Sequence, residues 1–142
     1  MQCFLSAAGW PAGNNMNPNL IIGAPAIDRQ HSELFRSFQK LLSSGDSEES
    51  ISDILSVLTE QIYKHFHSEE QFMLGLGIPA EMLKAHQAAH EQIVEDLTQI
   101  HLNAMHGQGL PIETTIATVE ACVNHHLMEF DLGLKPYIQA AC

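Results

Sequence analysis

Four segments of this chain repeat apolar residues at steps of three and four, and only a helix gathers such positions onto one face. The second segment is the fullest: Leu55, Leu58, Ile62, His65, Glu69, Phe72 and Leu76 alternate the two steps. The first carries Ile27, Leu34, Phe38 and Leu41, with His31 filling the gap. The third reads Leu83, His86, His90, Ile93, Leu97, Ile100 and Ala104; the fourth reads Ile116, Val119, Val123, His126 and Phe130. Each stripe must be buried against another element, so the helices have to pack on one another.

The spacing predicts helices over about 27–43, 50–74, 80–105 and 112–130. Asp28 suits a cap or a first turn. The breakers between helices are Ser43-Ser44-Gly45-Asp46-Ser47, Gly75-Leu76-Gly77-Ile78-Pro79 and Gly107-Gln108-Gly109-Leu110-Pro111, with Pro79 fitting the first turn of the third helix. Loops this short make neighbours antiparallel, so the expected fold is all-α, an up-down-up-down four-helix bundle. Residues 1–26 hold Gly9, Pro11, Gly13, Asn14, Asn15, Asn17, Pro18, Gly23 and Pro25, and read as an irregular N-terminal arm. The bundle domain is then 27–142, with Gly133 and Pro136 disturbing its last segment. No strand pattern or internal repeat competes.

At 142 residues the chain suits one domain with one core. A formal charge of −11 argues against nucleic acid and anionic membrane as partners, and no apolar run is long enough to span a bilayer. Cys3, Cys122 and Cys142 form no framework, and the N-terminus lacks a basic leader, so the expected setting is the cytoplasm. Nine histidines against six Lys and Arg is the compositional hint of metal.

His31, His65, Glu69, His86, His90 and His126 all lie on the predicted core stripes; His67, His101, His106 and His125 do not, and read as surface. One histidine on an apolar stripe is ordinarily a satisfied core histidine. Six polar residues on all four stripes, buried without a shared partner, would exceed the marginal stability of a domain. A metal centre resolves the conflict. The set is rich in nitrogen and has no cysteine, which disfavours thiolate zinc, iron–sulfur and ferritin-like centres, and it holds too many ligands for one tetrahedral ion. Two octahedral metals fit better. A second carboxylate is needed. Glu129 follows His125 by four residues; Asp131 follows His126 by five, a rotation of about 140°. The stripe favours His126, but Asp131 then serves only if the helix is distorted near its end, which Gly133 permits. Spacing alone leaves Asp131 undecided.

His31, His65-x-x-x-Glu69, His86-x-x-x-His90 and His126-x-x-x-x-Asp131 together resemble the ligand signature of the hemerythrins in their single-domain bacterial form. Ile27-Asp28-Arg29-Gln30-His31 and His65-Phe66-His67-Ser68-Glu69-Glu70 are also similar to that form. The likeness covers about residues 16–138. It implies two non-haem irons, cycling between ferrous and ferric, with Glu69, Asp131 and an oxo or hydroxo group as bridges. It implies His86, His90 and His126 on one iron, and His31 and His65 on the other. One position then stays open, where the family binds dioxygen reversibly. Phe66, Cys122, Val123 and Leu127 would wall the ligand pocket. Cys122 stands where the family pattern has tryptophan and Val123 where it has leucine, and Met16 replaces a second tryptophan. Either another residue, such as one from the N-terminal arm, fills the space at Cys122 or the pocket is more open; Trp10, six residues before Met16, is the candidate substitute there. Cys3 and Cys142 are expected to be terminal and unstructured.

The resulting expectation is a non-enzymatic oxygen binder for carriage, storage or delivery to an oxygen-using enzyme, as a monomer or weak oligomer. The alternatives are an oxygen or redox sensor acting through a separate partner, and a di-iron enzyme acting on peroxide or nitric oxide.

Overall fold

A computed structural model describes residues 20–43, 51–108 and 111–141. Most of the expected arm, with Cys3, Trp10 and Met16, and the terminal Cys142 lie outside the described residues. The helices are α1 (Pro25–Ser43), α2 (Ile51–Leu74), α3 (Ala80–Met105), α4 (Ile112–Glu129) and α5 (Lys135–Ala140), with a 3-10 turn, Asp131–Leu134, joining α4 to α5. All four expected helices are present. Pro79 lies just before α3 as its N-cap rather than within it. Gly77 (φ +69°) takes the left-handed conformation in the turn that separates α2 from α3.

α1 packs on α2 and α4, and α3 packs on the same two, so consecutive helices are neighbours around a square. Cross-bundle contacts give their directions. Gln30 near the start of α1 meets His65 near the end of α2. Ser52 at the start of α2 meets His101 at the end of α3. His31 meets Asp131, which follows α4. Each pair is antiparallel, as the short loops require.

The core has two apolar parts. The larger contains Leu34, Phe38, Leu55, Leu58, Ile62, Ile93, Leu97, Ile116, Val119 and Val123, together with Phe35, Ile54, Phe66 and Leu127, which the stripes did not include. The smaller contains Ile22, Ala24, Ile27, Met73, Leu134 and Ile138. Met73, and not Phe72, is fully buried, because the stripe of α2 leaves Glu69 by a step of four. The six polar residues of the stripes lie between these two parts. His31 separates Ile27 from Leu34, and Glu69 separates Phe66 from Met73.

α1 starts at Pro25, two residues earlier than the periodicity predicts, and its first helical bond runs from the Asp28 N–H to the Ala24 carbonyl at 2.8 Å. Asp28 is therefore a first-turn residue. Its carboxylate reaches back to accept the N–H groups of Ile22 at 2.8 Å and Gly23 at 3.1 Å. Gly23 has φ +97°, a conformation that favours glycine, and it turns the chain so both amides face Asp28. This contact ties the last residues of the arm, and the smaller core with them, onto α1. Asp28→Ala strands two buried donors and is expected to cost about 1–3 kcal/mol in urea denaturation. Asp28→Asn, which keeps an acceptor, should cost less.

Candidate metal centre

Seven side chains converge between the two apolar parts: His31 from α1, His65 and Glu69 from α2, His86 and His90 from α3, His126 from α4, and Asp131 from the 3-10 turn. All are buried, with Glu69 fully enclosed. They form two sets. One is Glu69, His86, His90, His126 and Asp131; the other is His31, His65, Glu69 and Asp131. Within each set the donor atoms lie within 4.8 Å of one another. Both carboxylates belong to both sets.

The two oxygens of each carboxylate divide between the sets. Glu69 Oε1 lies 2.6 Å from His86 Nε2, 3.3 Å from His90 Nε2 and 4.0 Å from His126 Nε2. Its Oε2 lies 3.2 Å from His65 Nε2 and 3.6 Å from His31 Nε2. Asp131 repeats the pattern: Oδ1 is 2.9 Å from His86 Nε2 and 3.1 Å from His126 Nε2, and Oδ2 is 3.0 Å from His31 Nε2.

Asp131 reaches this position because α4 ends before it. Phe130 caps the helix at φ −117° and ψ −55°, and the chain tightens into the 3-10 turn. That change removes the angular offset a straight helix would impose. The distortion sits at Phe130 and not at Gly133, whose φ is not positive; a Cβ there would make only ordinary contact, 3.7 Å from Met82 Cε. Glu129 and His125 are exposed, so the alternative carboxylate pair is not part of the cluster.

Burial disfavours the charged form of both carboxylates, and Asp131 also feels Glu69, but the surrounding imidazoles prevail. Glu69 is held well below the usual carboxylate range, and Asp131 is drawn down to about 2. Burial likewise pulls the His31 and His86 imidazoliums down, but Asp131 and Glu69 outweigh it and raise both to about 9. His126 is raised by the same opposition. His65 is lowered, chiefly by burial, with Glu69 opposing and the charge of His31 adding to the shift. The two carboxylates therefore favour the protonated form of His31, His86 and His126.

Protons do not satisfy the cluster. Both Glu69 oxygens and the Nε2 atoms of His90 and His126 are buried and close no hydrogen bond. The 2.6 Å approach of His86 to Glu69 has the length of such a bond but not its direction. His31 Nε2 and His65 Nε2 face each other at 3.0 Å. Nitrogen and oxygen lone pairs aimed at common points are what a divalent first-row cation satisfies, with release of the resident protons. The residues therefore fit a metal centre.

Aromatic and aliphatic side chains enclose the cluster. The Phe66 ring stacks on His90 at 3.9 Å between centroids and lies 5.5 Å from His126 and 5.8 Å from His65. Phe130, which the sequence placed only on the stripe, stacks on His126 at 5.2 Å. Val123 and Leu127 are buried in the larger core. Cys122 is a half-buried free thiol, pushed up by burial and by the charge of Asp96. A thiol so disfavoured as thiolate is a poor nucleophile.

Two polar neighbours were missed by the stripes. Gln30 Oε1 lies 2.9 Å from His65 Nδ1, and Glu70 Oε1 lies 3.2 Å from His90 Nδ1. Glu70 lies off the predicted stripe, yet its side chain is only 30% exposed and faces α3. Both residues follow or precede a stripe residue by one position, where a side chain flanks the stripe and reaches the next helix. A polar residue next to a polar stripe position, His31 or Glu69, was the available signal. His101, expected at the surface, is half-buried against Ser52 Oγ at 2.8 Å; His67, His106 and His125 are exposed.

Residues 23–138 match the family model described as the Hemerythrin HHE cation binding domain. The chain is 25% identical over 116 residues to a bacteriohemerythrin of Campylobacter jejuni subsp. jejuni serotype O:23/36 (strain 81-176), covering 80% of this chain and 86% of that protein. No solved structure matches the chain.

The shared carboxylate gives a test. Glu69→Ala is expected to lower bound metal from about two ions per chain to below one, because it touches both sets, whereas His31→Ala should leave about one. Metal analysis after anaerobic loading and desalting reads the difference.

Proposed function

The chain belongs to the hemerythrin family, and on that premise we propose that it binds dioxygen reversibly at a non-haem di-iron centre. Carriage, storage or delivery to an oxygen-using enzyme is the role this would serve, in the cytoplasm. The observation that carries the reading is the pairing of two unequal donor sets through the two carboxylates. Glu69 and Asp131 would hold both irons, each with one oxygen toward either set. His86, His90 and His126 would complete one side and His31 and His65 the other. The side with fewer imidazoles would leave a position for an exogenous ligand. When bound, two ferrous ions supply the electrons that one dioxygen takes up reversibly.

The chain's own residues would supply rigidity and dryness. The seven donors stand on four helices and one turn, anchored above and below by apolar packing. Phe66, stacked on His90, and the buried Val123 and Leu127 would wall the ligand pocket with groups that offer no proton. Excluding water in this way protects a reduced centre from irreversible oxidation. No described helix is long and apolar enough to cross a membrane.

Anaerobic reconstitution with ferrous iron, then exposure to air and to argon, tests the reading. A visible charge-transfer band should appear in air and vanish under argon, at about two irons per chain. Irreversible conversion to a ferric form on first exposure would instead favour a sensor or an enzyme. The thiol at Cys122 gives a second expectation. If its small volume leaves the pocket open, Cys122→Trp should slow autoxidation several-fold; an unchanged rate means that other packing already closes the pocket.

A further inference from the structure

The two donor sets differ in what holds them from behind. A histidine that offers its Nε2 lone pair inward must carry its proton on Nδ1, and an acceptor at Nδ1 fixes both the tautomer and the ring direction. Such an acceptor is present at His65 and at His90, one in each set. At His65 it is the neutral amide oxygen of Gln30, 2.9 Å away. At His90 it is a carboxylate oxygen of Glu70, 3.2 Å away. The buried Nδ1 atoms of His31 and His126 have no partner. Gln30 also lines a cleft of about 180 Å³ between α1 and α2, with Glu33, Leu34, Gln61, Lys64 and His65, so its contact stands at the boundary between centre and solvent.

We propose that Glu70 and Gln30 are positioning residues that make the two halves of the centre unequal, Glu70 strengthening the three-histidine half through His90 and Gln30 setting the two-histidine half through His65. A carboxylate at Nδ1 raises the donor strength of the ring more than an amide does, since it places negative charge on the N–H. The half backed by Glu70 therefore holds its metal more tightly and fills first. The half backed by Gln30 keeps its ring directed without added charge. This inference rests on the metal-centre reading above but not on dioxygen binding.

Anaerobic titration of the metal-free full-length protein with cobalt(II), which is coloured and redox-stable, tests it. Two resolved binding steps are expected. Glu70→Gln should weaken the tighter step roughly 10- to 100-fold and leave the weaker step within about twofold. Gln30→Leu should weaken the other step by a similar factor, and Gln30→Glu, which keeps an acceptor, should restore or exceed wild-type affinity there. Nitrogen-15 and proton spectra of the zinc-loaded protein give an independent readout. The Nδ1–H signals of His65 and His90 should be protected, and each should move upfield or be lost only in the variant of its own partner. Variants that weaken both steps alike, or neither, overturn the proposal. A chain that binds no cobalt or zinc overturns the metal-centre reading with it, whereas two bound metals without reversible dioxygen uptake would sink the functional reading alone.

Discussion

Two carboxylates are buried side by side in a small helical bundle, and nearly everything else about this molecule answers that fact. Glu69 is fully enclosed and Asp131 almost so. A buried ion costs several kcal/mol even after relaxation, and a domain has only about 5–15 kcal/mol of net stability. Imidazoles from all four long helices offset the cost by surrounding the pair. The two carboxylates in turn favour the protonated forms of His31, His86 and His126, but several oxygens and nitrogens stay without directed bonds. The cluster is arranged for a cation, and its assembly ties the folding of four helices to one point.

Precision at that point comes from the apolar packing on either side. The larger part of the core lies along the bundle below the cluster, and the smaller part seals the end where Ile22, Ala24 and Ile27 meet Met73, Leu134 and Ile138. Close packing transmits position, so each donor is placed by neighbours one turn before and after it. Asp28 secures the seal from one side through the amides of Ile22 and Gly23, and the turn after α4 secures it from the other by delivering both Asp131 and Leu134. The same turn therefore supplies a donor to the cluster and an apolar residue to its lid.

The likeness of the two donor sets conceals their differences. They share Glu69 and Asp131 but not the number of imidazoles, the rings stacked against them, or the groups behind them. Phe66 and Phe130 lie over His90 and His126, on the three-histidine side, while an open cleft borders His65 on the other. The two sets are therefore unequal surroundings for whatever cation they hold.

The sequence by itself determined the helices and six of the seven converging residues. Steps of three and four place His31, His65, Glu69, His86, His90 and His126 on core stripes, because helical periodicity is a local property that neighbours along the chain express. The periodicity even located α3 to its end residues. Asp131 was different. Its spacing from His126 is wrong for a straight helix, and the likeness to a family, not the spacing, picked it out; the break at Phe130 and the 3-10 turn that bring it inward follow from packing against the rest of the bundle. Gln30 and Glu70 acquire their places only through tertiary structure. Gln30 and Glu70 sit one position off their stripes and act on a histidine of the adjacent helix, so their partners depend on how helices are rotated and set against one another. Periodicity says which face is buried. Which atom across the interface that face meets is decided by the three-dimensional register of the bundle.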